Sequence, residues 1–345
     1  MRDRLLLIAG LLFLLLLVDC RKEFSVNADY EDFPIVLGLV EITDNTHYIK
    51  VYKSFVTEKN AYDAAKDIHL YSYIDSVEVY LEERDIKTDT LIRKIPFDTT
   101  TEIPKDPGIF AYPMQIVYKA QAKLDIKYRY QLFVYNPYTK KMAYSQPILL
   151  AGQVTITRPT TTLLGITDRA FNIDYKPGQN AYMHEFVITF YYTEMMKDNT
   201  TKSGKPISWN LGKQTAPANP PPILNFQLTS GSFFFQNIAN NIVENENVRA
   251  RHTDSIVISV FTAGKDWYKY LLANLPSSGI NQNRLDYTNI SAYIVEKDTV
   301  PKYALGLFSS RSVTTQWFRD LAFPASRDSL FYGRYTNHLK FTDIY

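Results

Sequence analysis

The chain has 345 residues, is 46% hydrophobic and carries a formal net charge of +2. That length and apolar content support two domains of ordinary size and exclude wholesale disorder. The small net charge excludes the strong basic field of a nucleic-acid-binding protein and gives no pull toward an acidic polymer.

Arg2 and Arg4 precede an apolar run from Leu5 to Val18, which stops at Asp19-Cys20. A basic start and about 14 apolar residues read as a secretory signal peptide over 1–19, too short for a comfortable membrane span. Cys20 is the single cysteine, so it has no partner for an internal disulfide. It is a candidate for lipidation, with residues 20–32 as a tether to the membrane. An uncleaved anchor, or an ordinary signal peptide with an incidental cysteine, is the alternative.

Beyond residue 33, period-two alternation recurs to the end. Strands are expected at Ile35–Ile42, Tyr48–Phe55, Val77–Glu82, Gln115–Lys119, Tyr128–Val134 and Ala143–Leu150. A break near Ala151-Gly152 divides the chain into a domain over 33–151 and a second over 152–345. The second half continues with Val154–Thr157, then Phe186, Ile188 and Phe190, then Ile256, Ile258 and Val260, then Ile290–Val295. Turn sequences such as Lys105-Asp106-Pro107-Gly108 and Lys176-Pro177-Gly178 separate the runs. Many short strands with such punctuation predict two consecutive immunoglobulin-like antiparallel β-sandwich domains, an all-β fold. The 26 tyrosines suit half-buried sheet. Short helices are expected at Glu58–Lys66, Ser232–Val243 and Lys265–Leu275, the last stopped by Pro276. Ala216–Pro222, rich in proline, reads as a rigid loop within the second domain.

No catalytic pattern emerges. The five histidines lack metal-ligand spacing, and no Gly-x-Ser-x-Gly elbow or glycine-rich phosphate loop is present. Asp266, Asp286 and Asp298 are loop carboxylates that match no known calcium loop. No cofactor is implied. Trp209, Trp267 and Trp317 suit sugar stacking if exposed, but their apolar neighbours favour core packing. Phe233, Phe234 and Phe235 cannot all face inward from one strand. These three residues, with Trp267 and Tyr268, break the regular alternation and form the candidate partner-binding set.

Leu16-Leu17-Val18-Asp19-Cys20 resembles the lipobox of bacterial lipoproteins, although Asp19 stands where a small residue is usual. Three further stretches carry a wider likeness. They are Cys20-Arg21-Lys22-Glu23-Phe24, the pair Pro34–Leu39 and Tyr48–Phe55, and the pair Tyr287–Ile290 and Gly306–Ser310. In these the chain resembles uncharacterised Bacteroidota lipoproteins of unknown function, often encoded beside TonB-dependent receptors. The resemblance implies an outer-membrane lipoprotein of immunoglobulin-like sandwich character. It supplies no catalytic residues. The O-glycosylation acceptor pattern of that phylum resembles Asp, then Ser or Thr, then an apolar residue or Thr. It occurs at Ser76, Thr90, Thr99, Ser255, Thr299 and Ser329. Asp-Ser and Asp-Thr are equally turn pairs at strand starts. Three readings follow: a non-enzymatic binding or accessory partner of a TonB-dependent transporter, a surface adhesin or glycan-binding module, or a hydrolase without a familiar motif.

Overall fold

The computed structural model describes residues 34–57, 60–274, 287–295, 297 and 302–343. The leader, Cys20, Asp286, Asp298 and Thr299 lie outside the described residues. The fold is β-rich and sandwich-like, with large antiparallel sheets and a few short helices.

The first half contributes β1 (Pro34–Glu41), β2 (Thr46–Lys53), β3 (Glu78–Asp85), β4 (Leu91–Thr100), β5 (Val117–Gln121), β6 (Tyr128–Asn136), β7 (Lys141–Ser145) and β8 (Ile148–Leu149). Two one-turn helices, α1 (Ala61–Ala64) and α2 (Ile68–Tyr71), lie between β2 and β3. The alternation decides which face is buried. Val79 and Leu81 of β3 meet Val134 and Leu132 of β6 in register, and all four enter one core. β4 changes partner along its length: residues 91–97 pair with β3 and 98–100 with β5. A strand that switches sheets is a corner of a sandwich.

The second half contributes β9 (Thr155–Arg158), β10 (Leu163–Leu164), β11 (Phe171–Lys176), β12 (Met183–Met196), β13 (Thr201–Ser203), β14 (Ile207–Thr215), β15 (Leu224–Leu228), α3 (Ser232–Asn241), β16 (Val248–Ala263) and α4 (Lys265–Ala273). It closes with β17 (Ile290–Ile294), β18 (Lys302–Tyr303), β19 (Leu305–Phe318), β20 (Asp320–Leu321) and α5 (Ala325–Phe331). β12 and β16 pair antiparallel from Met183↔Ala263 to Met196↔Val248. The three-stranded sheet β15–β11–β9 shares their core. Phe186, Ile188, Phe190, Ile256 and Ile258 come from the large sheet, and Ile156, Ile173, Tyr175 and Leu224 from the small one.

The two hydrophobic clusters divide where the sequence breaks. One ends at Leu150 in the first half and the other begins at Val154. The segment 290–311, expected in the second domain, nevertheless joins strands of the first half. β17 pairs with β7, and residues 305–311 of β19 run parallel to β1. Ile290, Ala304 and Phe308 accordingly belong to the first core. Residues 311–318 of the same strand then pair with β16. One continuous strand therefore spans both bodies. Gly306 makes the parallel contact possible, since its φ is +128° and a Cβ there would lie 1.9 Å from the Val36 carbonyl oxygen.

The boundary near Ala151 is a buried crossing laced to β19 by hydroxyls. Ala151 N–H donates to Ser310 Oγ (2.9 Å), whose hydroxyl donates to Leu149 O (3.1 Å). Ser312 Oγ donates to Gly152 O and Thr314 Oγ1 to Val154 O. These bonds satisfy the polar atoms that the crossing buries.

Candidate functional site

Helix α3 turns two of its three phenylalanines inward. Phe234 and Phe235 are buried, and Phe234 meets Phe190 edge-on at 5.9 Å. They fill the core and present no ring to a partner, which corrects their place in the candidate binding set. Phe233, on the opposite side of the helix, is 48% exposed. Trp267 and Tyr268 lie on α4, which packs on β19 rather than beside α3. Trp267 is half-buried and stacks on Tyr270 at 5.6 Å, while its backbone N–H donates to Ser309 Oγ. The partner-binding candidates therefore do not form one surface patch built from all five rings.

The acceptor-pattern residues are dispersed. Asp75 and Asp89, which precede Ser76 and Thr90, have φ of 48° and 61°. These are turn conformations that Asp tolerates. Thr99 Oγ1 donates to Asp75 Oδ1. Ser329 lies in α5 and its hydroxyl donates to Ala325 O. Ser255 stands on β16 opposite Tyr191.

That last position borders Trp317, for which the expected core packing is corrected. In β19, Phe318 points into the core with no exposure, so period two turns Trp317 to the outer face, where it is 60% exposed. Tyr191 of β12 faces the same way. The two rings stack at 6.3 Å with 18° between planes. β16 runs between them, and its Val257, paired with both Thr189 and Trp317, is buried yet outside the inner core. The two rings meet across β16 as an aromatic platform on the outer face of the sheet.

A polar cleft of about 440 Å³ lies further along the same two strands, β16 and β19. Arg319, two residues beyond Trp317, lines it with His252, Thr253 and Asp254 of β16, and with Asp320, Arg327 and Asp343. Asp254 Oδ2 accepts from Thr193 Oγ1 (2.8 Å), and its Oδ1 lies 3.6 Å from His252 Nε2. Arg327 bridges Asp320 (2.7 Å) and Asp343 (2.6 Å). Thus the carboxylates of the cleft are held by neighbouring donors. Three buried polar atoms there, His252 Nδ1, Thr253 Oγ1 and Arg327 Nε, have no protein partner.

A second buried titratable pair lies inside the same body. His184 Nδ1 is 3.2 Å from the Tyr175 hydroxyl, which donates to Gln214 Oε1. Burial holds His184 down to about 4 and pushes Tyr175 upward. Among the described residues no group of three or more His, Cys, Asp or Glu is placed to hold a metal ion. Among the described residues, too, no helix is long and apolar enough to cross a membrane.

No protein-family model matches the chain, and no curated protein matches it in sequence. Among solved structures it is similar to the C-terminal globular domain of oligosaccharyltransferase from Pyrococcus abyssi, at 10% identity and a TM-score of 0.22. That alignment covers 66% of this chain, which spans 47% of the archaeal one. The sandwich architecture rests on strand register, to which so slight a likeness adds nothing.

Proposed function

We propose that the protein is a non-enzymatic binding lipoprotein of the cell envelope, with a saccharide-binding surface around Trp317. The observation that carries the ligand class is the Tyr191–Trp317 stack, with Trp317 60% exposed, near a cleft lined by His252, Asp254 and Arg319. An aromatic face covers the apolar face of a sugar ring, while Arg, Asp and His side chains serve its hydroxyls. The envelope location rests on the leader and Cys20. The accessory role beside a TonB-dependent transporter rests on the family resemblance, and co-purification of the native protein tests it.

The ligand class is tested by a glycan array followed by calorimetry on the best binder. Trp317→Ala should weaken binding by about 1–3 kcal/mol, the usual worth of a stacked aromatic anchor, and Trp317→Phe should restore part of it. Thermal melting should move little because the ring is largely exposed. Equal affinity in wild type and Trp317→Ala, or no glycan retained at all, would overturn the saccharide reading.

A further inference from the structure

The end of the first body farthest from the second carries an exposed apolar tip. Two connections build it. Residues 54–57 and 60–77 follow the end of β2, and residues 101–116 join β4 to β5. They are held together by Ala111 N–H donating to Ala65 O (3.1 Å) and by Phe110 meeting Tyr71 edge-on at 5.1 Å. Their outer side presents Tyr62, Leu70, Ile109, Phe110, Tyr112 and Met114, of which Tyr62, Ile109, Tyr112 and Met114 are more than half exposed. Exposed apolar side chains grouped in this way mark an interaction surface. Lys105 lies over the Phe110 ring and Lys66 pairs with Asp63, so apolar rings are mixed with charges of both signs.

Strand register fixes what lies near the tip. Pro34 pairs with Lys53, and Thr100 pairs with Val117, so the first described residue and both tip connections share one end of the sheet. β19 runs away from that end, from Leu305 beside Ile35 to Phe318 beside Ile256. The 33 residues before Pro34, including the apolar leader and Cys20, therefore join the body at the tip. Thirteen residues separate Cys20 from Pro34, and a segment of that length spans at most about 45 Å.

The geometry points to the tip as a membrane-contact surface that seats the first body on the lipid bilayer bearing its anchor. Tyrosine, with an apolar ring and a polar end, suits the headgroup boundary, and Ile109, Phe110 and Met114 suit the acyl side of it. Lys105 extends from the apolar surface toward headgroups. In this pose the Trp317 face, on the second body, is held away from the membrane. This inference rests on the lipid-anchor reading for its choice of occupant, but its test does not.

The experiment uses the chain from Arg21 onward, which keeps every residue of both cores and lacks the leader and Cys20. It is mixed with phosphatidylethanolamine/phosphatidylglycerol vesicles, and hydroxyl-radical oxidation is mapped by mass spectrometry. Tyr62, Tyr112 and Met114 should be protected by vesicles while Trp317 stays equally oxidised. Ile109→Glu combined with Tyr112→Glu should lower the vesicle-bound fraction about tenfold or more without shifting the melt. A double variant that unfolds leaves the wild-type footprint as the deciding measurement. Unchanged oxidation of all three tip residues overturns the proposal. Protection that depends on protein concentration without vesicles, with a dimer in light scattering, also overturns it and assigns the tip to a second copy. Fatty-acid labelling of Cys20 in the full chain is read separately. Tip protection with no labelling supports the contact surface and removes the anchor.

Discussion

Arg251 is the sharpest test of how the cleft is held. Its side chain is 1% exposed. Nε and Nη2 both reach Glu194 Oε1, at 2.9 and 2.8 Å, while Nη1 donates to Leu339 O and Nη2 to Val243 O. Its own backbone pairs with the C-terminal segment, through Arg251 N–H to Lys340 O and Thr342 N–H to Arg251 O. That segment supplies Thr342 and Asp343 to the cleft wall. Arg251→Met keeps most of the stem volume and removes every guanidinium donor. Breaking a buried pair costs about 3–5 kcal/mol because it strands the other charge. Glu194 retains 15% exposure and so recovers some hydration, which places the expected loss near the lower end, about 3 kcal/mol. Urea unfolding followed through the transition of the second body measures the loss, and hydrogen exchange at 337–343 should rise with it. The double variant Arg251→Met with Glu194→Met should recover stability, since an apolar pair needs no compensation. A loss below about 1 kcal/mol, or no recovery in the double variant, would refute the clamp.

His184 gives a pH dependence of known sign. Its folded pKa, about 4, lies below the ordinary 6.5, so the unfolded chain takes up a proton that the folded chain refuses as pH falls between them. Stability is complete above about 6.5 and declines toward 4, by at most roughly 3 kcal/mol, and His184→Gln should flatten that part of the urea-midpoint profile. A variant with the wild-type slope would show that other groups dominate. On α3, Phe234→Ala should cost about 3–5 kcal/mol, whereas Phe233→Ala should cost under about 1 kcal/mol. Equal melting shifts for the two would refute the orientation of the helix.

Alternation made the inward faces of β3, β6, β12 and β16 readable, because each buries a regular series of apolar residues. It missed β4, where only Ile95 and Phe97 are buried and Pro96 interrupts the run. Over 91–97 that strand pairs on one side only, the edge position where proline is tolerated. It also missed β19, which turns Ser310 and Ser312 inward to bind the crossing between the bodies. Hydroxyls in a strand look like surface until the backbone they serve is known. The pairing of 290–311 with the first body was hidden for a related reason: local pattern defines a strand and its faces, not a partner some 270 residues away.

The candidate site was partly within reach. Trp317 stands between polar Gln316 and apolar Phe318, and the nearby Phe318 and Leu321 argued for burial. Yet in a strand adjacent residues face opposite ways, so Phe318 in the core requires Trp317 outside it. Applying the period that identified β12 and β16 to this one position would have exposed the ring. The cleft had no such signal. Its walls come from 252–254, 319–331 and 342–343, and they meet because the edge of β16 not covered by β12 pairs first with the C-terminal segment, at Arg251, and then with β19. The binding face therefore depends on the same buried arginine that fixes the C-terminal residues. Arg251→Met should weaken saccharide binding even where the platform of Tyr191 and Trp317 is intact.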